Sequence, residues 1–410
     1  MDSLAAAIAS FTSDFIKVLN KNKKNDNIFF CSPSILSAFG MVLLGAKRNT
    51  ALEMEKVLHL GESKGIADAG TEHTSEENVC KQTTVPPPSL PEQQCGQEGT
   101  VHSKFHELLS NLLKSDQDCE LRIANKLYGQ NSFPFVEQYL SCVQKLYMAM
   151  LETVDFKNSE EVRKKINTWV ETETNGKIKD LFTQGSIQPE TSLVVVNAVY
   201  FNAKWDKEFK KENTKEMQFH LNKRESKLVK MMYQNGKFKV ASIPEMHMKI
   251  LELFYCEKKL SMVILLPDEL ADDSTGLEKI ENGLTSKKLA EWTSALQETD
   301  VDVYFPTFQL EEIYDLKLYL QEMGMRDLFS NKADLSGISN KIGLKVSKAV
   351  HKTVIKVDEK GTEAAAATGI TIVPLSLPIR FQFIADHPFI FLIIDNTTKA
   401  ILFYGRYCSP

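Results

Sequence analysis

The most distinctive chemistry of this 410-residue sequence lies in one stretch, Glu359 to Ser376, which combines small, β-branched and ring-locked residues. The four consecutive alanines from Ala364 to Ala367 have the highest helix propensity of any residue. No apolar residues recur around them with the spacing that would hold a helix against a core. The alanines therefore indicate a backbone that is not a packed helix.

One set of alternate side chains in this stretch is small and uncharged. Successive residues of a strand point to opposite faces, and the residues on one face here are Thr362, Ala364, Ala366 and Thr368. A strand that enters a sheet between strands that are already packed needs such a face. The pattern predicts a segment that can join a sheet after the rest of the chain has folded.

The second part of the stretch is suited to proteolysis. Ile370 to Pro374 contains β-branched residues followed by a proline. Both features favour an extended backbone over a compact turn. A protease binds its substrate with the backbone extended, so we expect a peptide bond in this region to be cleaved.

Three motifs give the chain a resemblance to the serpin family. Glu359 to Glu363, followed by the alanines, resembles the hinge of an inhibitory serpin. Asp386 to Phe389 and Ile401 to Pro410 resemble the last strands of the ovalbumin-type (clade B) intracellular serpins, whose chains often end in Cys-Ser-Pro. The resemblance implies an α+β serpin fold over residues 1–410, a single domain of three β-sheets with a shell of α-helices and an exposed reactive-centre loop at residues 359–380.

The same resemblance assigns roles within the loop. Counted along the loop as in serpins, the sixteenth residue after Glu359 is Leu375. Cleavage at two nearby bonds, Val373–Pro374 and Leu377–Pro378, is disfavoured because the proline ring would crowd the protease. We therefore predict cleavage between Leu375 and Ser376. The predicted protease contacts are Ile372, Val373 and Pro374, and the predicted hinge residues are Glu359, Gly361, Thr362, Ala364, Ala366 and Thr368.

The family resemblance also predicts a region where the main sheet opens to admit the loop. His351 alone would most often be a hydrogen-bonded core residue, but serpins keep a sheet-opening histidine at this place. Asn197 begins a motif that resembles the serpin strand beside the entry point, and Trp205 follows it by eight residues. Ser34 falls where the family keeps a serine under the central sheet.

Signatures of enzymes are absent from the sequence. It contains no nucleophile elbow, zinc-protease motif, phosphate-binding loop or dinucleotide fingerprint. His102 and His106 lie one helical turn apart, but without a third ligand nearby a solvated helix face is favoured over zinc. We expect no enzymatic activity, no cofactor and no metal site.

Composition excludes two further classes of protein. Hydrophobic residues at 43% and charged residues at 25% are typical of a soluble globular protein. The net charge of −5 matches the excess of seven acids over two lysines between residues 62 and 101. No basic footprint for nucleic acid and no apolar run of membrane-spanning length occurs. The resemblance to serpins implies a monomer whose partner is a protease.

Residues 62–100 are expected to form a mobile loop between helices, since this acidic, proline-containing segment cannot bury enough apolar surface to offset its ordering entropy. One interpretation is a docking or crosslinking site. The other, which we favour, is a tolerated insertion. The residues that would act in the first case are Cys80, Gln93, Gln94, Cys95 and Gln97.

Location is predicted from the cysteines and the N-terminus. Seven cysteines form an odd set without paired spacing, which argues for a reducing compartment. The first residues lack the basic leader of a cleavable signal. We expect a cytoplasmic protein. Whether it is also released from the cell without a signal peptide stays open.

Hydrophobic periodicity predicts the elements that position these residues. Helices are expected at residues 2–20, 34–44, 50–60, 105–113, 160–175 and 314–323. Strands are expected at residues 28–30, 121–129, 192–201, 249–255, 261–266 and 345–357.

The function implied by the resemblance is suicide inhibition of a serine protease. The protease would cleave after Leu375, and the freed hinge would insert as a strand before water releases the acyl-enzyme. Leu375 fits a hydrophobic slot, so a chymotrypsin-like target is favoured over an elastase-like one, and cathepsin-type cysteine proteases stay open. The alternative is a non-inhibitory serpin-fold protein for binding or storage, which the small hinge face disfavours.

Overall fold

A computed structural model describes residues 3–61, 99–113, 119–268, 274–360 and 380–410. The α-helices within these ranges are α1 (Ser3–Asn22), α2 (Ser32–Leu43), α3 (Arg48–Leu58), α4 (Val101–Leu112), α5 (Glu137–Tyr147), α6 (Ser159–Glu173), α7 (Glu278–Gly283), α8 (Ser286–Ser294) and α9 (Leu316–Met323). The strands are β1 (Ile28–Phe30), β2 (Cys119–Gln130), β3 (Met150–Val154), β4 (Leu193–Ala203), β5 (Lys215–His220), β6 (Ser226–Ile243), β7 (Met248–Tyr255), β8 (Leu260–Pro267), β9 (Gln297–Pro306), β10 (Phe308–Asp315), β11 (Val346–Val357), β12 (Phe381–Ile384), β13 (Phe389–Asp395) and β14 (Ile401–Tyr407).

The helix α2 lies in the core of the protein. Every residue from Ser32 to Leu43 is buried, which agrees with a sequence that is apolar or small on all sides. Pro33 lies in the first turn of α2, where its missing N–H would have no partner in any case. The helix places Ser34 beneath the strands described next.

Sheet I contains five strands among the described residues, in the order β10-β11-β4-β2-β3. Its central pair, β11 and β4, is parallel, whereas β10 pairs with β11 and β2 pairs with β4 in the antiparallel sense. Alternate residues of β4 pack into two separate apolar clusters, one of which includes α6. Because both faces of β4 are covered, its sequence is a nearly continuous apolar run rather than an alternating one.

Sheet II is built on β6, which is 18 residues long and shared by two groups of strands. Residues 226–231 of β6 pair with β5, and residues 239–243 pair with β7, which leads on through β8, β13 and β14 to β1. The opposite edge of β6 pairs with β9, and β9 with β12. With its two groups counted separately, sheet II and sheet I make the three sheets that the family resemblance implied.

The predicted elements occur with shifted ends, and one boundary was wrong. Residues Tyr314 and Asp315 end β10 instead of beginning a helix, because Asp315 caps α9 by accepting a hydrogen bond from the Lys317 N–H. The elements that periodicity did not predict are α5, α7, α8, β3, β5, β6, β9, β10, β12, β13 and β14, of which the family resemblance indicated the last two. Among the described helices, none has both the length and the apolar character to cross a bilayer.

Two of the cysteines bear on the predicted compartment. Cys31 and Cys408 have free thiols and are buried, whereas Cys119 and Cys142 are disulfide-bonded. Disulfides persist mainly in oxidising environments. The cysteines therefore do not by themselves support a reducing compartment.

Candidate functional site: the seam between β4 and β11

The candidate site is the contact between β4 and β11, called the seam below, which runs from the pair Leu193/Val346 to the pair Phe201/Ile355. Both strands are internal to sheet I. Parallel pairs are slightly less stable per residue than antiparallel ones. The seam is therefore a place where the sheet could part, and three polar contacts along it decide how firmly it is closed.

The middle contact is a buried hydrogen-bond network around Asn197 and His351, which are opposite each other in the seam. His351 Nδ1 bonds to Asn197 Oδ1, and Asn197 Nδ2 donates to Ser34 Oγ over 2.5 Å. The Cys31 N–H donates to His351 Nε2 over 3.1 Å. Because Nε2 accepts, Nδ1 carries the proton of a neutral imidazole. The histidine thus connects β11 to β4 and to the start of α2.

The burial of His351 keeps it uncharged. The side chain is 0% exposed, and this burial lowers the pKa of the imidazole to about 3. A charged imidazole would also have to donate from Nε2 to the Cys31 N–H, which is itself a donor. Protonation of His351 would therefore break its hydrogen bond to Cys31 and place a charge in the buried network.

Asn125 extends the middle contact to β2, and no motif in the sequence marks this residue. It lies opposite Asn197 in the β2/β4 pairing, and its Oδ1 accepts a hydrogen bond from Asn197 Nδ2. Its own Nδ2 donates to Ser37 Oγ of α2 over 2.8 Å. A single polar residue on a strand does not indicate a site until the strand register is known to place it beside another polar residue. The network thus spans β2, β4, β11 and α2.

A second contact closes the end of the seam where β4 begins. The Ser192 N–H donates to Ser347 Oγ over 3.0 Å, and Ser192 Oγ donates to the Lys345 carbonyl over 2.7 Å. The β11 register shifts between Val346 and Lys348, which marks a bulge at Ser347. Side-chain hydrogen bonds here replace the regular ladder.

The third contact closes the opposite end, at the base of the predicted loop. Trp205 Nε1 donates to the Asp358 carbonyl over 2.9 Å, and the Phe209 N–H donates to the Glu359 carbonyl over 3.2 Å. Trp205 is stacked on Tyr255, with ring centroids 4.0 Å apart. This places Trp205 away from Ser34, Asn197 and His351, which the structure does bring together.

Charged side chains tie β11 to β10 and not to β4. Lys348 pairs with Asp315 over 3.0 Å, and Lys352 pairs with Glu311 over 2.7 Å. Strand β4, by contrast, contains no charged residue from Leu193 to Ala203. Ion pairs therefore join β10 to β11, and none joins β4 to β11.

The remaining predicted site residues lie outside the described part of the chain. Of the hinge set, Glu359 is described at the base of the loop. The hinge residues Gly361, Thr362, Ala364, Ala366 and Thr368, the contacts Ile372, Val373 and Pro374, and the reactive bond Leu375–Ser376 are not. Their roles, and those of the seam residues in opening, stay predictions.

Within the described ranges, no three His, Cys, Asp or Glu side chains are grouped so as to hold a metal ion. His102, expected on a solvated face, is instead bonded to the Tyr147 hydroxyl, with 2.5 Å between Nδ1 and Oη. Burial lowers the pKa of His102 to about 4. A neutral histidine held in this way packs α4 against α5.

Comparison with known proteins points to one family. A family model described as serpin (serine protease inhibitor) matches residues 6–410. Human Serpin B4 is 46% identical and the leukocyte elastase inhibitor of Sus scrofa 43% identical, each over 414 residues that cover 100% of both chains. The crystal structure of uncleaved ovalbumin superposes with a TM-score of 0.85 at 37% identity and covers 100% of both chains.

The seam should respond to pH through His351. Its pKa in the folded chain is about 3, below the ordinary 6.5, so the unfolded chain gains a proton between these values and the native chain does not. The contribution of His351 to the free energy of unfolding is fully present above about pH 7. It falls as the pH is lowered, by about 2 kcal/mol at pH 5. Urea unfolding of the chain and of His351→Gln at pH 7 and pH 5 measures this difference. Equal pH dependence of the two proteins would contradict it.

Proposed function

Because the chain belongs to the serpin family, we propose that it inhibits a serine protease by serving as a substrate that traps the enzyme during cleavage. The observation that carries this proposal is the closed parallel seam whose strand β11 leads directly into the predicted hinge. In this structure β4 and β11 are paired directly, and no strand lies between them.

The topology permits insertion in one orientation. The chain leaves β11 at Val357 and passes Asp358 and Glu359, which are held by Trp205 and Phe209. A segment that turns back from there runs antiparallel to β11, and also antiparallel to β4, because β4 and β11 are parallel. It can therefore form an antiparallel ladder on both of its edges.

The hydrogen bonds gained when the segment inserts between β4 and β11 would drive the insertion. One parallel pair is replaced by two antiparallel pairs, which adds about ten backbone hydrogen bonds. Each contributes about 0.5 to 1.5 kcal/mol net, so the gain is on the order of 10 kcal/mol. Reactive-loop insertion in serpins is an established case of strand addition. A gain of this size is comparable with the stability of a whole domain.

The chemical step belongs to the protease. Its serine attacks the carbonyl carbon of Leu375, the bond to the Ser376 nitrogen breaks, and Leu375 remains as an ester on the enzyme. The amine of Ser376 leaves with the C-terminal fragment. The freed hinge then inserts into the seam and carries the esterified enzyme with it, which distorts the enzyme before water can attack the ester.

The target class follows from Leu375. Its side chain is uncharged, of medium size and unbranched at Cβ, so it gains from a deep hydrophobic slot and offers nothing to a pocket with a buried acid. We place chymotrypsin-like enzymes first and elastase-like enzymes second. The similarity to a leukocyte elastase inhibitor supports a serine protease of this group, and cathepsin-type cysteine proteases are a further class to test.

A non-inhibitory protein is the second candidate, because the chain is also similar in structure to uncleaved ovalbumin. The small face formed by Thr362, Ala364, Ala366 and Thr368 favours inhibition, since a protein that never inserts its loop has no need of it. We further propose that residues 1–410 form one domain, acting as a monomer. A cytoplasmic location is supported by resemblance to the ovalbumin-type intracellular serpins.

Insertion should depend on which face of the hinge carries a charge. We predict that Thr362→Arg folds normally but is cleaved as a substrate, with the yield of covalent complex reduced on the order of tenfold or more, because the guanidinium would be buried unpaired. The matched control is Glu363→Arg, which puts the same side chain on the opposite face and should retain the complex. Each variant is mixed with chymotrypsin, and the yield of covalent complex is measured on a denaturing gel. An undiminished yield with Thr362→Arg would refute the proposal.

The predicted register is tested by changing the bond itself. Leu375→Arg should move inhibition from chymotrypsin-like to trypsin-like enzymes, because an arginine suits a pocket with a buried acid. The hinge is untouched, so the covalent complex should still form with the new target. Mass spectrometry of the released fragment should show that it begins at Ser376. A fragment that begins elsewhere means that the register is wrong.

A further inference from the structure

The hairpin that joins β5 to β6 is basic and has few neighbours. Residues 220–230 include four basic residues and one acid, in a chain whose net charge is −5. Among the described strands, β5 pairs with β6 alone, and the part of β6 from Ser226 to Lys230 pairs with β5 alone. A two-stranded ribbon is only marginally stable by itself. The tip of this hairpin can therefore open locally while both sheets stay intact.

The tip contains the sequence Lys223-Arg224-Glu225-Ser226. Protein kinases select their substrates partly by the pattern of charge around the modified residue. Basophilic serine/threonine kinases favour basic residues two and three positions before the serine, and Arg224 and Lys223 occupy these positions. All four residues of the sequence are exposed. The tip therefore presents both the hydroxyl and the charges that such a kinase recognises.

The position of Ser226 leaves its side chain accessible. Ser226 begins β6 and is paired with His220, the last residue of β5. It shares a strand face with Leu228, which is 60% exposed, because alternate residues of a strand point to the same side. The buried residues of the hairpin, Phe219 and Val229, lie farther from the tip. The hydroxyl is thus outside the apolar contacts that anchor the hairpin.

The turn before Ser226 depends largely on one side chain. Asn222 Oδ1 accepts hydrogen bonds from the Arg224 N–H over 2.8 Å and from the Glu225 N–H over 3.0 Å. The Leu221 N–H donates to the Glu225 carbonyl over 2.9 Å. These bonds must break before the chain can extend through a kinase cleft. Because they lie at an exposed tip, the free-energy cost of breaking them is small.

A second Lys-Arg pair in the chain provides an internal comparison. Residues 47–50, Lys-Arg-Asn-Thr, have the same pattern of charge before a hydroxyl residue. Thr50, however, is 1% exposed, and its Oγ1 accepts a hydrogen bond from the Asp334 N–H over 2.9 Å. The charge pattern alone would select both hydroxyls, whereas the structure leaves only Ser226 within reach.

We propose that Ser226 is a phosphorylation site for a basophilic serine/threonine kinase that uses ATP with Mg²⁺. The Ser226 Oγ attacks the γ-phosphorus of ATP, the bond from this phosphorus to the bridging oxygen of ADP breaks, and the hydroxyl proton passes to the catalytic aspartate of the kinase. Lys223 and Arg224 pair with acidic side chains of the kinase, and the Arg224 guanidinium can do so with two hydrogen bonds.

The hairpin can carry the phosphate without unfolding. A phosphoserine adds a charge of about −1.5 to −2 to a segment in which bases outnumber acids by four to one. Repulsion among the basic side chains falls, and Arg224 is near enough in sequence to pair with the phosphate. Ser226 belongs neither to the seam nor to the base of the predicted loop, so this site does not depend on the proposed function.

The test treats the intact chain with the catalytic subunit of cAMP-dependent protein kinase and Mg²⁺-ATP, and mass spectrometry then locates the phosphate. We expect near-stoichiometric modification of Ser226 and none of Thr50. In Ser226→Ala the incorporation should be lost. Absence of phosphate at Ser226, or faster modification of any other residue, would overturn the proposal.

Substitutions at exposed positions test whether the charge pattern directs the kinase. Arg224→Gln should slow phosphorylation on the order of tenfold, because a charge-assisted pair with the kinase is lost. Arg224→Lys keeps the charge and should retain more of the rate. The matched control is Lys230→Gln, which removes an exposed charge from the same strand outside the pattern and should react like the unchanged chain. Equal losses in Arg224→Gln and Lys230→Gln would overturn this recognition.

Opening of the turn is tested by Asn222→Ala. This change removes the acceptor of the Arg224 and Glu225 N–H groups and leaves the charge pattern unaltered. We expect faster phosphorylation of Ser226, because the chain extends more readily. An unchanged or lower rate would overturn the opening step.

Discussion

The structure depends on one buried contact, the hydrogen bond between Asn197 and His351 across a parallel pair of strands. Both side chains are fully buried, and their polar atoms have partners in Ser34, Asn125 and Cys31. Separating the two strands would leave these groups without partners, at a cost of about 1 to 3 kcal/mol each. The contact therefore opposes separation of the seam, and in the proposed mechanism an entering strand would have to offset this loss.

The other features of sheet I direct where it opens. Lysines of β11 are paired with acids of β10, and β4 has no charged side chain with which to pair. The hinge base at Asp358 is held by Trp205, so the loop begins at the end of the seam and not elsewhere on the sheet. A parallel strand pair, a few polar contacts and an adjacent predicted loop are the features that the proposed insertion requires of this sheet.

Much of this arrangement could be predicted from sequence, and the failures have physical causes. The strand β4 was evident because burial on both faces leaves a continuous apolar run. The long strand β6 was missed because its exposed lysines and Gly236 interrupt the alternation. Trp205 was placed in the same predicted region by the family resemblance, and since an extended strand carries the chain about 3.3 Å per residue, its indole lies beyond the end of β4, at the base of the predicted loop. Asn125 depends on register, which local sequence does not encode.

Inhibition and simple binding share the fold and differ in what happens after the loop is cut. The most direct measurement is the melting temperature of this chain before and after one cut between Ile370 and Leu375 by a protease that it does not trap. Insertion into the seam predicts a rise of tens of degrees, because the cut chain gains a central strand. An unchanged melting curve would show that the seam does not accept the loop and would contradict the account.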